Sequence, residues 1–80
     1  MMEEKLIKIF VEKFNITEEV LKSNINFIES ALLGSIQFVQ LTMEIEEEFD
    51  IVFDTSDYVE ENFISLKSIC NLIKTKQGTN

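Results

Sequence analysis

Apolar positions recur at helical spacing in three stretches of the chain. Residues 2–14 place Leu6, Ile9, Phe10 and Phe14 along one side, with Glu3, Glu4, Lys5, Lys8, Glu12 and Lys13 mostly on the others. Asn15 follows as a stop signal. Residues 35–49 carry the strongest pattern, with Phe38, Leu41, Ile45 and Phe49 repeating along one core-facing stripe. Residues 65–75 align Leu66, Ile69, Leu72 and Ile73, and Ser65 is placed to cap that helix. A short helix is expected over 55–62, capped by Thr55 or Ser56, with Tyr58 and Val59 turned inward. Ile51, Val52 and Phe53 have strand character, but so short a run with no partner strand makes no sheet.

Residues 15–34 form a long first connection. A structureless loop of that length is uncommon inside a compact domain. Thr17-Glu18-Glu19-Val20-Leu21 can close one helical turn under a Thr17 cap, and Ile25, Phe27, Ile28, Leu32 and Leu33 would pin the remainder to the core. The expected fold is all-α: a small four-helix bundle, three main helices plus one short helix, with a long first loop. The length of 80 residues sets a single domain, residues 1–80, with an ordered core of about 3–75.

Composition narrows the chemistry. There are 7 Lys plus Arg against 15 Asp plus Glu, no His and one Cys, for a net charge of −8. Missing His removes the commonest general base and a common metal ligand. Cys70 alone supports no intrachain disulfide and no all-cysteine zinc site. The acidic balance argues against nucleic acid and against anionic membrane surfaces. No apolar run is long enough to span a bilayer and no secretory leader is visible, so a soluble, cytoplasmic module that works through partners is expected. Asp50, Asp54 and Asp57 do not fit the spaced calcium loop with its central Gly.

Charge is unevenly spread. From Ser23 to Leu66 there is no Lys or Arg, and that stretch holds ten acids: Glu29, Glu44, Glu46, Glu47, Glu48, Asp50, Asp54, Asp57, Glu60 and Glu61. Such a block is either a solvated face or a docking surface for basic partners. The helix at 35–49 also has a second apolar stripe, Ile36, Val39 and Met43, rimmed by Gln37, Gln40, Glu46 and Glu47. It is either the flank of a wide buried face or an exposed contact ridge. Gly34 stands at the N-cap of this helix and Ser35 in its first turn, where an anion is favoured by roughly 0.3–1 kcal/mol at an exposed site. On capping grounds alone Ser35 is a helix starter, and with no neighbouring base it does not read as a catalytic nucleophile.

The run Phe27-Ile28-Glu29-Ser30-Ala31-Leu32-Leu33-Gly34-Ser35-Ile36-Gln37-Phe38-Val39-Gln40-Leu41, followed by Met43-Glu44-Ile45-Glu46-Glu47-Glu48-Phe49-Asp50-Ile51, resembles the acyl carrier protein family. That family has an Asp-Ser-Leu-like motif opening its second helix and an acidic Glu-Glu-Phe-like close. The likeness spans residues 3–75. It implies that Ser35 receives 4′-phosphopantetheine from coenzyme A as a phosphodiester, and that the arm's thiol carries acyl or aminoacyl groups as thioesters. The carrier itself is not an enzyme, and a monomer is the default for so small a carrier. Ile36, Val39, Met43, Glu46 and Glu47 match positions that meet the phosphopantetheinyl transferase and the acyl-loading or acyl-processing enzymes, whose surfaces are basic. Phe27, Leu41, Ile45, Phe63 and Ile69 match core positions near an acyl-sheltering cavity, and Cys70 matches a small buried residue.

The chain departs from the family pattern at Gly34, where the family usually has Asp, at Gln37 and Gln40, where many members have acids, and at Asp54, where Pro is common. The family Asp helps the transferase recognise the serine. Two functions therefore stand side by side: a phosphopantetheine-dependent carrier in fatty acid, polyketide, nonribosomal peptide or related biosynthesis, and a carrier-like acidic docking protein that is not modified because Gly34 replaces Asp. The departures resemble carriers of specialised pathways.

Overall fold

A computed structural model describes residues 2–23 and 25–78; the outermost positions of the expected 1–80 domain lie outside the described residues. Four α-helices form: α1 (Met2–Phe14), α2 (Glu18–Lys22), α3 (Ser35–Phe49) and α4 (Leu66–Lys76). Among the described residues there is no strand. The all-α small bundle read from the sequence is thus the fold.

The helices begin and end where side-chain chemistry dictates. α1 carries Glu3 and Glu4 in its first turn and Lys13 in its last, matching the helix dipole at both ends. It stops because Asn15 turns left-handed at φ 58°, which lets the Ile16 N–H donate to Phe10 O at 3.2 Å. α2 starts on Thr17, whose Oγ1 accepts the Val20 N–H at 3.2 Å, and an exposed Lys22–Glu18 pair at 2.8 Å spans it. α4 opens on a reciprocal cap: Ser65 Oγ accepts the Ser68 N–H at 3.1 Å, and Ser68 Oγ accepts the Ser65 N–H at 3.0 Å.

One hydrophobic cluster joins the helices, with Leu6, Phe10, Leu41, Ile45, Ile69 and Ile73 at its fully enclosed centre. α1 packs on both α3 and α4. The long first loop is not structureless. Asn26 Oδ1 accepts the N–H groups of Ile28 and Glu29 at 2.9 Å each, folding residues 27–31 into a turn. The Phe27 N–H donates to Ile64 O at 2.8 Å and ties that turn to the chain entering α4. Phe27 is buried, and Ile25, Leu32 and Leu33 are half-buried against the core. Ile28 is more open than these, at 40% exposure, although it still faces the apolar cavity that Phe27 and Leu41 line.

The expected single helix over 55–62 is instead two 3₁₀ turns, Thr55–Asp57 and Glu60–Asn62, preceded by Asp54 and Val59. Tyr58 and Val59, expected inward, are exposed. Asp57 explains the break. Its carboxylate accepts the Asp54 N–H and the Lys76 ammonium, while its carbonyl accepts from Asn62 Nδ2 at 2.8 Å and from the Val59 N–H at 2.9 Å. That carbonyl is therefore taken by local partners, and no regular helical ladder propagates. Ile51 and Phe53 are buried and the intervening Val52 exposed, an extended passage with no strand partner.

Candidate functional site

Ser35 is the first residue of α3 and is exposed. Gly34, the N-cap, has φ −74° and ψ 173°, an extended conformation open to any residue. It supplies no side-chain acceptor, so the N–H groups of the first turn of α3 receive no side-chain cap. Only the return half of a capping box forms, with Gln37 Oε1 accepting the Gly34 N–H at 3.1 Å. No acidic side chain occupies the first turn, so the positive end of the α3 dipole is uncompensated by the helix itself.

Beside Ser35 lies a cavity of about 440 Å³, within the roughly 300–1,000 Å³ of small-molecule pockets. Four of the five residues assigned to it from the sequence, Phe27, Leu41, Phe63 and Ile69, line it. Ile45 does not. It is fully enclosed in the core one turn further along α3 than Leu41, away from the Ser35 end. Phe10 and Phe38, not assigned from the sequence, complete the aromatic walls: Phe10 meets Phe27 edge-on at 5.8 Å, and Phe38 meets Phe63 edge-on at 5.0 Å. Ile28, Ala31, Leu32 and Leu33 form the wall from the loop side. Their signal in the sequence is an apolar run directly before Ser35 that belongs to no helix.

The second stripe of α3 is exposed: Ile36 is 76%, Val39 55% and Met43 61% accessible. The ridge is therefore a surface, not the flank of a buried face. Val39 has two roles, since it also lines the cavity beside Ser35. Glu47 lies about 18 Å along the axis from Ser35, at a rise of about 1.5 Å per residue. Glu46, Glu47, Glu48 and the C-cap Asp50 crowd the negative end of the α3 dipole, and no basic residue occupies its last turn. That placement opposes the helix dipole and sets like charges near one another. The acidic block is not uniformly open. Lys76 reaches across from α4 to Asp54 at 2.7 Å and Asp57 at 2.8 Å, and Glu46 Oε2 accepts the Phe53 N–H at 2.8 Å. Burial pushes the Cys70 thiol up from its ordinary value, as suits a small core residue. Among the described residues no His, Cys, Asp and Glu side chains cluster as three or more able to hold a metal ion.

Ser35 is thus an exposed serine at an uncapped helix start, beside an apolar cavity and at the head of an acidic helix. Residues 4–73 match the phosphopantetheine attachment site family, and the chain belongs to it. Its relatives include an acyl carrier protein of Campylobacter lari, 31% identical over 70 residues, 88% of each chain. An acyl carrier protein of Nitratidesulfovibrio vulgaris is 30% identical over 76 residues, covering 95% of this chain and 97% of the relative. The family's cofactor is 4′-phosphopantetheine.

Proposed function

We propose that this protein is a cytoplasmic acyl carrier, not an enzyme, and that Ser35 is its point of attachment for 4′-phosphopantetheine. The observation that carries this is the exposed Ser35 hydroxyl at the head of α3, directly beside an apolar cavity of about 440 Å³. The residues fit the group. Ser35 offers the oxygen for a phosphodiester, the first-turn N–H groups and the dipole favour the phosphate charge, and no side-chain cap competes for them. When bound, the group supplies a terminal thiol that holds acyl or aminoacyl cargo as a thioester. Phe27, Leu41, Phe63 and Ile69 shelter an apolar chain from water.

Partners are met along the exposed face of α3. Ile36, Val39 and Met43 supply apolar contact next to Ser35, and Glu46 and Glu47 supply the negative field further along. The partners this face fits are basic-surfaced enzymes: a phosphopantetheinyl transferase, then enzymes that load and process the cargo in fatty acid, polyketide, nonribosomal peptide or related biosynthesis. With no His in the chain, the base that activates Ser35 comes from the transferase.

The test is intact mass before and after incubation with coenzyme A and a broad-specificity transferase. A gain of one phosphopantetheine that is absent from Ser35→Ala supports the assignment. No gain in wild type, and none after Gly34→Asp restores the acid beside the serine, would leave the unmodified docking protein as the function. A gain only in Gly34→Asp would make Gly34 the determinant of which transferase acts.

A further inference from the structure

The chain between α3 and α4 is held by short backbone turns and by side chains that reach into it from the helices on either side. Glu46 Oε2 accepts the Phe53 N–H at 2.8 Å, across the left-handed turn at Asp50 with φ 54°. Phe53 packs edge-on against Phe63 at 6.0 Å, and Phe63 packs edge-on against Phe38 at 5.0 Å. Phe38 and Phe63 are walls of the cavity. A continuous line of contacts thus runs from one carboxylate on the docking face to the cavity. Glu46 is only half-buried, so the same carboxylate can be reached from outside.

We propose that Glu46 couples partner docking to the cavity: an arginine from a docking partner competes with the Phe53 N–H for the Glu46 carboxylate, and release of Phe53 loosens the Phe63 wall. This rests on the docking role of the α3 face given above. Arginine is the committed occupant because its planar fork must lie in the plane of the carboxylate and so turns that plane toward the partner and Oε2 away from the Phe53 N–H, whereas a lysine can take a free lone pair of either oxygen and leave the Phe53 bond in place. The two sites then differ in affinity by one coupling factor that is the same in both directions. An apolar ligand packed against Phe63 weakens arginine binding as much as arginine binding weakens the ligand.

The experiment is site-resolved amide hydrogen exchange on the full chain, with and without an oligo-arginine peptide, using the amides of α4 as an internal reference. Peptide binding is measured separately by titration. At saturation Phe53 exchange should accelerate by about ten- to a hundredfold, the scale of one hydrogen bond to a charged group, while α4 stays protected. An oligo-lysine peptide should accelerate it less. Glu46→Ala should expose the Phe53 amide without any peptide. Glu46→Gln keeps an acceptor oxygen, so Phe53 should stay protected while the response to peptide shrinks. Glu47→Gln should weaken the peptide but preserve the response at saturation. Bound peptide with an unchanged Phe53 amide, or a Phe53 amide still protected in Glu46→Ala, overturns the coupling alone. Absence of peptide binding overturns the docking role, and the coupling with it.

Discussion

Replacing Gly34 with Asp should stabilise the protein. The backbone at Gly34 (φ −74°, ψ 173°) is one that Asp adopts without strain, and a Cβ there would meet only Gln37 Oε1, at 3.8 Å, in ordinary contact. The new carboxylate accepts an N–H of the first turn that no side chain now caps. Asp over Gly at an N-cap is favourable by a few tenths of a kcal/mol. A negative charge at an exposed helix start contributes about 0.3–1 kcal/mol. The two overlap, because cap preferences measured for Asp already contain part of the charge effect. A net gain of about 0.5 kcal/mol corresponds to a rise in Tm of about 2–4 °C for a domain this small. The opposing effect, one more acid on a chain of net charge −8, is screened at an exposed site. Thermal melts followed by circular dichroism, at low and at high salt, separate the contributions. Gly34→Ser supplies the cap without the charge and should keep its gain in salt, whereas part of the Asp gain should fade. A Gly34→Asp Tm equal to or below wild type at both salt concentrations would refute the uncapped helix start.

Three further outcomes follow from the same geometry. Ile45→Val should lower stability by about 0.5–1.5 kcal/mol in urea denaturation and leave uptake of an apolar fluorescent probe unchanged; Ile69→Val, on the cavity wall, should alter uptake too. Lys76→Met removes the clasp on Asp54 and Asp57, and the comparison is the Tm difference from wild type across pH. The hydrogen bond from Lys76 holds the Asp57 carboxyl below its usual 3.8, so the clasp's contribution is present above that pH and lost as pH falls through the lower folded value. Hydrogen bonds to Asp54 and Asp57 raise Lys76 above 10.5, so the contribution is present below that pH and lost as pH rises through the higher folded value. The Tm difference should form a plateau between these limits and shrink outside them; a pH-independent difference would refute the clasp. Moderate NaCl or Mg²⁺ should raise the wild-type Tm by relieving repulsion among the acids of α3 and the following turns, and no rise with either would count against that repulsion.

The long helices were legible because each buries one stripe of a regular repeat: Leu6, Ile9 and Phe10 in α1, Leu41, Ile45 and Phe49 in α3, Leu66, Ile69 and Ile73 in α4. Their boundaries were legible because Asn15, Gly34 and Ser65 act within a turn of where they stand. Residues 55–62 were not, since the break is set at Asp57, whose carbonyl is taken by Val59 and Asn62 and whose carboxylate is also held by Lys76 from α4. Periodicity cannot report a tertiary contact of that kind. The cavity was legible only in part. Its helical walls follow from the core stripe, but Ala31, with its left-handed φ of 53°, and Leu32 and Leu33 reach it through a turn set by the Asn26 side chain. The stripe of Ile36, Val39 and Met43 was visible as a pattern, and its exposure became decidable only once the other helices took their places.

The packing of α1 directly against α4 has a consequence for how the protein is made. Leu6 and Phe10 leave the ribosome well before α4, the helix that packs on α1 and brings Ile69 and Ile73 into the same core. Until α4 is synthesised, the nascent chain holds an amphipathic α1 with an open apolar side and an α3 with no complete core to rest on. The core therefore cannot be completed before α4 has left the ribosome, and the cavity beside Ser35, which Ile69 helps to wall, closes only after that helix has docked.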